Sequence, residues 1–159
     1  MDHRPGNIIL GAIYKPMLEE MFVAEKGQGA FLNGRKIVVS NTLKLANSLL
    51  ATGFPYDVRE SSVNNLNHFN AMILKARGIR RAGSAALDLA YLAAGRFDGF
   101  WEIKLNSWDT AAGWLMVEEA GGVVTDMRGK VYHLESPVIV ASNGRIHEEM
   151  VDTLNRASI

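Results

Sequence analysis

The sequence predicts a layered mixture of α+β and α/β structure, because two kinds of pattern follow one another along the chain. The first part has short apolar segments separated by glycine turns, which is typical of antiparallel β-hairpins. The later part alternates strand-like with helical segments, which is typical of an α/β sheet with flanking helices. We therefore expect a β-hairpin region, the remnant of an antiparallel sheet, over residues 1–45 and a C-terminal α/β subdomain over residues 46–159.

The hairpin region rests on two apolar segments and a glycine-rich stretch. Residues 7–14 read as a buried strand and residues 20–24 as its partner. Within the stretch 26–34, Asn33-Gly34 is the dipeptide that a type I′ hairpin turn prefers. We interpret the whole stretch as β-turns rather than as a phosphate-binding loop, because no lysine–serine pair follows its glycines and no helix begins there.

The α/β part is predicted as an alternation of strands and helices. After a last strand of the hairpin region at residues 36–40, strands are expected at residues 48–52, 79–81, 97–103, 123–125 and 137–141. Helices are expected from Ser61 or Ser62 to Arg77, from Ser84 to Ala94, from Ser107 to the glycines at 121 and 122, and around Ile146, Met150, Val151 and Leu154.

Composition excludes several classes of function. Seventeen acidic residues balance seventeen Lys and Arg, so net charge gives no reason to expect binding to nucleic acid or to an anionic membrane. The chain has no cysteine, which excludes disulfides and thiolate chemistry. Its four histidines (His3, His68, His133 and His147) lack metal-ligand spacing and are interpreted as surface or loop residues. No apolar run approaches the ~20 residues of a membrane span, so we expect a cytoplasmic protein.

The helix that begins near Ser107 carries a carboxylate in its first turn. Ser107 is a plausible N-cap, and residues 111–117 are apolar on every side, so the helix is expected to be largely buried. Burying the charge of Asp109 without a partner costs several kcal/mol, on the order given by transfer data. Asp109 is therefore either a first-turn aspartate that faces the positive end of the helix dipole, or a metal ligand at the mouth of a pocket.

A second candidate lies where a predicted strand ends and the helix at Ser84 begins. Gly83 allows close approach of the backbone, and the free N–H groups of a helix start bind anions such as phosphate. An ordinary serine N-cap after a tight turn is the alternative.

Glu102 is the third candidate, near the carboxyl end of strand 97–103. Ligands of α/β proteins usually bind at that end of a strand, whereas a solvated glutamate is the alternative. Arg80 and Arg81 have the geometry to bind phosphate but are not predicted to be catalytic.

The other carboxylates are predicted to have structural roles. Asp88 and Asp98 are interpreted as helix-cap or loop charges, and Glu119 as a structural hydrogen-bond acceptor.

The segment Trp-Asp-Thr-Ala-Ala-Gly at residues 108–113, followed by Glu-Ala-Gly-Gly-Val at 119–123, closely resembles the C-terminal signature of the inositol monophosphatase family of magnesium-dependent phosphatases. The resemblance implies an inositol-monophosphatase-like fold and hydrolysis of a phosphate monoester such as inositol 1-phosphate. It also implies Mg²⁺ as cofactor, with Asp109 as a metal ligand. Gly83, Ser84 and Ala85 would contact the substrate, and Glu102 would accept a hydrogen bond from an inositol hydroxyl.

The resemblance leaves part of the family pattern unmatched. Family members carry an upstream glutamate and an Asp-Pro-Ile/Leu-Asp-Gly-Thr loop that supply most metal ligands, and neither Asp-Pro nor Asp-Gly-Thr occurs here. One aspartate makes a weak magnesium site. We therefore expect either the C-terminal portion of such a phosphatase or a truncated, catalytically silent domain that binds or oligomerises. A sugar or nucleotide bisphosphate phosphatase of the same superfamily is also open.

The first strand leads to an expectation about assembly. Residues 8–14 would have lost neighbouring strands and would expose an apolar sheet edge to pairing. We expect a homo-oligomer that buries this edge, a small phosphorylated substrate, and no nucleic-acid or membrane partner.

Overall fold

The computed structural model describes residues 8–157. Within that range the chain forms nine β-strands and four α-helices, in an order close to the predicted alternation. The strands are β1 (Leu10–Lys15), β2 (Glu20–Glu25), β3 (Gly29–Leu32), β4 (Arg35–Ile37), β5 (Leu49–Thr52), β6 (Gly78–Arg80), β7 (Gly99–Ile103), β8 (Val123–Thr125) and β9 (Val138–Ser142). The helices are α1 (Leu66–Ile73), α2 (Ala85–Ala93), α3 (Ser107–Glu119) and α4 (His147–Ala157).

The first four strands form an antiparallel sheet in the order β1-β2-β3-β4. Asn33 and Gly34 join β3 to β4 with φ of 49° and 76°, the left-handed pair that a type I′ turn requires. Strand β1 is an edge strand among residues 8–157, and its Leu10 and Tyr14 are exposed. The division of the chain into subdomains at residue 45 stays a prediction.

The second sheet has five strands in the order β6-β5-β7-β9-β8. Strand β5 pairs in parallel with both β6 and β7, whereas β9 is antiparallel to β7 and β8. Because β5 and β7 are parallel neighbours, their carboxyl ends meet at one edge of the sheet. The candidate site lies at that edge.

The helices and sheets stack in four layers. Helices α2 and α3 pack against each other between the two sheets, and their apolar core joins Phe22 of β2, Leu89 of α2 and Phe100 of β7. The other face of the five-stranded sheet packs against α1 and α4 through a core that includes Trp101 and Met150. Phe100 and Trp101 are adjacent, so they point to opposite faces of the sheet and enter different cores.

Close contact between α2 and α3 depends on Gly113. A Cβ added at Gly113 would lie 2.5 Å from Leu89 Cβ, so the two helices would have to separate. We expect Gly113→Ala to lower the free energy of unfolding by about 1–3 kcal/mol, the usual cost of overpacking, despite the better helix propensity of alanine.

Chemical denaturation of Gly113→Ala checks this, with Gly78→Ala as the matched control. The Cβ added at Gly78 would meet only Leu49 Cδ1, at 3.6 Å, which is ordinary van der Waals contact. Equal stability of the two variants would contradict the close helix packing.

Four predictions are wrong, concerning two helix starts, the environment of one histidine and the length of one strand. The helix expected from Ser61 or Ser62 to Arg77 covers only Leu66–Ile73, and it starts late because Asn65 is held in the left-handed region with φ of 72°. Ser107 is the first residue of α3, and the N-cap is Asn106. His147 is a buried residue at the start of α4 rather than a surface or loop residue. The strand expected at residues 36–40 is also shorter, since β4 ends at Ile37.

Glu119 ties the end of α3 to the hairpin loop between β2 and β3. Its Oε1 accepts a hydrogen bond from Gly27 N at 2.7 Å, and its Oε2 accepts one from Gly29 N at 2.8 Å. The predicted role of Glu119 as a structural acceptor is confirmed, and the glycine-rich stretch serves as a turn anchored to a helix.

Across residues 8–157, none of the helices combines the length and the apolar character needed to span a membrane.

Candidate active site

A cleft of about 620 Å³ lies at the carboxyl ends of β5 and β7, between the starts of α2 and α3. It brings together all five residues selected from the sequence: Gly83, Ser84, Ala85, Glu102 and Asp109. Thr52 and Gly53 at the end of β5, Arg81 and Asp88 also line it. In α/β proteins this edge of the sheet is where ligands bind.

The start of α2 forms one wall of the cleft. Gly83 has φ of 91°, a backbone conformation that favours glycine, and it turns the chain into the helix. Ser84 is the N-cap, and its Oγ accepts a hydrogen bond from Leu87 N at 3.4 Å. Both alternatives for this segment are therefore compatible, because a serine-capped helix start also presents its first N–H groups and its positive dipole end to the cleft.

The start of α3 forms the opposite wall. Asp109 Oδ2 accepts a hydrogen bond from the backbone N of Asn106 at 3.0 Å, so the carboxylate is fixed at the positive end of the helix dipole. The side chain of Asp109 is half-buried and also lines the cleft. The dipole interpretation thus describes its local bonding, and the metal-ligand interpretation stays a prediction.

Glu102 projects from β7 against the backbone of Gly53. A Cβ at Gly53 would overlap the Glu102 carboxylate, so glycine is needed there for the carboxylate to keep this position. Burial, together with the negative charges of Asp88 and Asp109, raises the pKa of Glu102 to about 7, while the Arg81 charge acts in the opposite direction. The cleft therefore holds more negative charge than its cations balance.

Asp88 is a site residue that sequence reasoning missed. It was predicted to be a cap or loop charge, but it lies inside the first turn of α2 and is only 1% exposed. Burial raises the pKa of Asp88 to about 7. The available signal was its position: a single carboxylate four residues after the Ser84 N-cap, in a helix that is otherwise apolar through residues 85–93.

A buried hydrogen-bond network fixes the floor of the cleft. Asn65 Nδ2 donates to Gly53 O at 2.6 Å and to Thr52 Oγ1 at 3.0 Å. Asn65 Oδ1 accepts from Trp101 Nε1 at 2.8 Å. One amide side chain therefore connects the end of β5, the middle of β7 and the start of α1.

The rim of the cleft carries an ion pair. Lys104 Nζ lies 2.7 Å from Asp57 Oδ2 and 2.9 Å from Ser61 Oγ, and all three groups are at least partly exposed. An ion pair in this position contributes little stability, about 0–1 kcal/mol, but it holds the loop after β5 next to the end of β7.

The residues of the cleft fit a magnesium ion in donor type but not in number. Mg²⁺ prefers oxygen ligands, which Asp88, Glu102 and Asp109 possess. Within the described range 8–157, however, no three acidic or histidine side chains are grouped closely enough to hold a metal ion. A complete magnesium site therefore needs carboxylates beyond those that this part of the chain brings together.

The layered fold places an acidic cleft between two helix starts at the ends of parallel strands, the region of an α/β fold where ligands commonly bind. The sequence profile described as the inositol monophosphatase family matches residues 4–158. The chain belongs to the inositol monophosphatase family, which confirms the family and the fold class predicted from the sequence.

Individual relatives agree with this assignment. The chain is 42% identical over 153 residues to the inositol-1-monophosphatase of Mesorhizobium japonicum, covering 96% of this chain and 58% of that protein. It is 44% identical to the Nus factor SuhB of Pseudomonas aeruginosa, covering 94% and 56%. The solved inositol monophosphatase of Anabaena matches with a TM-score of 0.91 and 44% identity, covering 93% and 59%. The chain spans a little over half the length of these relatives.

Proposed function

We propose that this chain forms the C-terminal part of a magnesium-dependent phosphatase that hydrolyses a phosphate monoester resembling inositol 1-phosphate. The observation that carries the proposal is the single cleft that unites the start of α2, Glu102 and the half-buried Asp109. The named inositol-1-monophosphatase of Mesorhizobium japonicum, at 42% identity, supports the choice of substrate.

The two ends of the cleft suit the two ends of such a substrate. The helix start at residues 83–85 offers N–H groups and positive dipole to the phosphate, and Arg81 on the same side adds a cation. Glu102, at the end of β7, offers acceptor oxygens to a hydroxyl of the alcohol portion. The phosphate ester would thus lie between the wall of α2 and the end of β7.

Asp109 is the residue of this chain that would hold a magnesium ion, together with carboxylates of the upstream family pattern. When bound, Mg²⁺ neutralises negative charge on the reacting phosphoryl group. The hydrogen bond from Asn106 N to Asp109 Oδ2 keeps the carboxylate oriented, which limits the freedom that metal binding would otherwise remove.

Phosphate release from inositol 1-phosphate, measured with and without Mg²⁺ on a protein that carries this chain together with the upstream carboxylates of the family pattern, tests this function. We expect Asp109→Asn to lower Mg²⁺-dependent release by about 100-fold or more, since even changes outside the ligand shell cost 10–100-fold. Glu118→Gln is the matched control, because it removes one negative charge from the exposed side of α3 without lining the cleft. Release by wild type that does not exceed release by Asp109→Asn would contradict intrinsic phosphatase activity.

A second candidate function is binding without catalysis. The relative from Pseudomonas aeruginosa, 44% identical, is named a Nus factor rather than a phosphatase. A catalytically silent domain that binds or oligomerises becomes the better explanation if the assay above shows no Mg²⁺-dependent release. A sugar or nucleotide bisphosphate phosphatase would instead release phosphate from those esters in preference to inositol 1-phosphate.

We further propose a cytoplasmic location and a homo-oligomer as the working state. For the chain on its own, the exposed Leu10 and Tyr14 on β1, an edge strand among residues 8–157, support assembly, because an apolar sheet edge favours pairing with another chain.

A further inference from the structure

Asp88 and Trp114 each have a buried side-chain atom without a hydrogen-bond partner among the described residues, and of these two residues only Asp88 lines the cleft. Asp88 Oδ1 is buried in the wall of the cleft and has no hydrogen-bond partner among the described residues. A buried acceptor without a partner has lost its hydrogen bonds to water without replacement, and such groups are uncommon in native folds. The chain tolerates this loss at a position that faces the cleft.

The fold itself does not use the Asp88 side chain. The helix is already capped by Ser84, whose Oγ accepts from Leu87 N, and Asp88 contributes only its backbone N–H, which donates to Ser84 O. No cation lowers the pKa of Asp88, since burial is the cause of its shift. A role in capping or in an ion pair is therefore excluded for this carboxyl.

The chemistry of the cleft indicates what would satisfy Asp88. Glu102 lies close enough for the Asp88 charge to raise its pKa, so two carboxyl groups share the part of the cleft that faces the alcohol. A hydroxyl is suited to both, because it can donate to an ionised carboxylate and can accept from a protonated one. An ammonium group would require the ionised form that burial of Asp88 disfavours.

We propose that Asp88 binds the substrate directly, by accepting a hydrogen bond from a hydroxyl of the alcohol portion next to the one that Glu102 binds. Asp88 then acts as a specificity residue that favours phosphate esters of polyhydroxylated alcohols over esters of simple alcohols. This assignment rests on the proposed phosphatase function and deepens it.

Binding calorimetry in Mg²⁺ buffer with two esters, on the same protein with the upstream carboxylates present, tests the assignment. Inositol 1-phosphate presents neighbouring hydroxyls, whereas ethyl phosphate has the phosphate alone. We expect Asp88→Ala to weaken the binding of inositol 1-phosphate about tenfold, the upper end of the usual effect of losing one hydrogen bond, and to leave ethyl phosphate unchanged. Asp88→Asn is expected to fall between, because its amide oxygen still accepts. Glu118→Gln serves as the charge control.

The outcomes separate this assignment from the function on which it rests. If wild type prefers inositol 1-phosphate and Asp88→Ala keeps the same preference, the role of Asp88 is overturned and the proposed function is not. Equal weakening of both esters in Asp88→Ala also overturns it, since that result indicates a structural role. Wild type that binds neither ester overturns the proposed function and this assignment together.

Discussion

Replacing Asp88 by asparagine is expected to raise the free energy of unfolding at pH 8 by about 3 kcal/mol. The carboxyl is 1% exposed, and burial raises its pKa from an ordinary 3.8 to about 7. Each unit of pKa difference between the folded and unfolded states corresponds to about 1.4 kcal/mol. Asparagine has nearly the same shape and no charge, so it removes most of the free-energy cost of burying the ionised carboxylate. The gain is reduced by the cost of burying the unsatisfied amide of asparagine.

The sign of the pH dependence follows from the raised pKa. Between pH 3.8 and 7 the folded state keeps the Asp88 proton that the unfolded state has released. Wild type therefore loses stability relative to Asp88→Asn as the pH rises through this window, and the difference is constant above pH 7.

Urea denaturation of both proteins from pH 4 to 8 measures the effect. The two stability curves should converge near pH 4 and separate towards pH 8. Parallel curves would show that Asp88 is not a buried, unpartnered carboxyl. A more stable variant that binds substrate less well would be consistent with a site that retains Asp88 for function at the expense of stability.

Acidification from pH 7 to 4 is expected to lower the free energy of unfolding by about 3 kcal/mol through the protonation of His147 alone. Burial lowers the pKa of His147 from an ordinary 6.5 to about 4. Between these values the unfolded state binds a proton that the folded state excludes, so stability falls as the pH falls through this window. The direction is opposite to that of Asp88.

The hydrogen bonds of His147 explain why the ring stays neutral. Its Nε2 lies 2.9 Å from Thr125 Oγ1, and that hydroxyl already donates to Asp126 O at 2.8 Å, so Nε2 is the donor. Its Nδ1 lies 2.9 Å from Ser142 Oγ, which accepts from Gly144 N and can donate to the ring. The neutral tautomer with the proton on Nε2 thus satisfies both nitrogens.

The difference between the stability profiles of wild type and His147→Gln isolates this contribution. The variant should lose the acid-dependent slope between pH 6.5 and 4, while His133→Gln, at an exposed position, should keep it. An unchanged slope in His147→Gln would mean that the acid sensitivity has another origin.

Local sequence chemistry predicted much of this protein. Asn33-Gly34 forms its expected turn, Ser84 caps its expected helix, and the signature around Asp109 indicated the family, because each depends on neighbouring residues alone. Helix α1 begins later than the sequence predicts. Asn65 is held out of the helix by hydrogen bonds to Thr52 and Gly53. Such distant bonds leave no local pattern.

The site was only partly predictable for the same reason. Its five candidate residues lie in one cleft, as their positions at helix starts and strand ends suggested. Asp88 and His147 were misinterpreted because their significance comes from burial by other elements, which depends on how α2 and α4 pack. The role of Gly53 could not be predicted because it consists of leaving space for the Glu102 carboxylate, which comes from a distant strand.

The amide of Asn65 has a consequence for recognition. By joining the end of β5, Trp101 and the start of α1, it immobilises the base of the cleft as part of folding. A ligand that enters therefore meets a surface whose shape is already determined, so little conformational entropy is lost at the moment of binding. For the proposed substrate, selectivity among alcohols would then depend on complementarity to a rigid receptor rather than on adaptation of the protein.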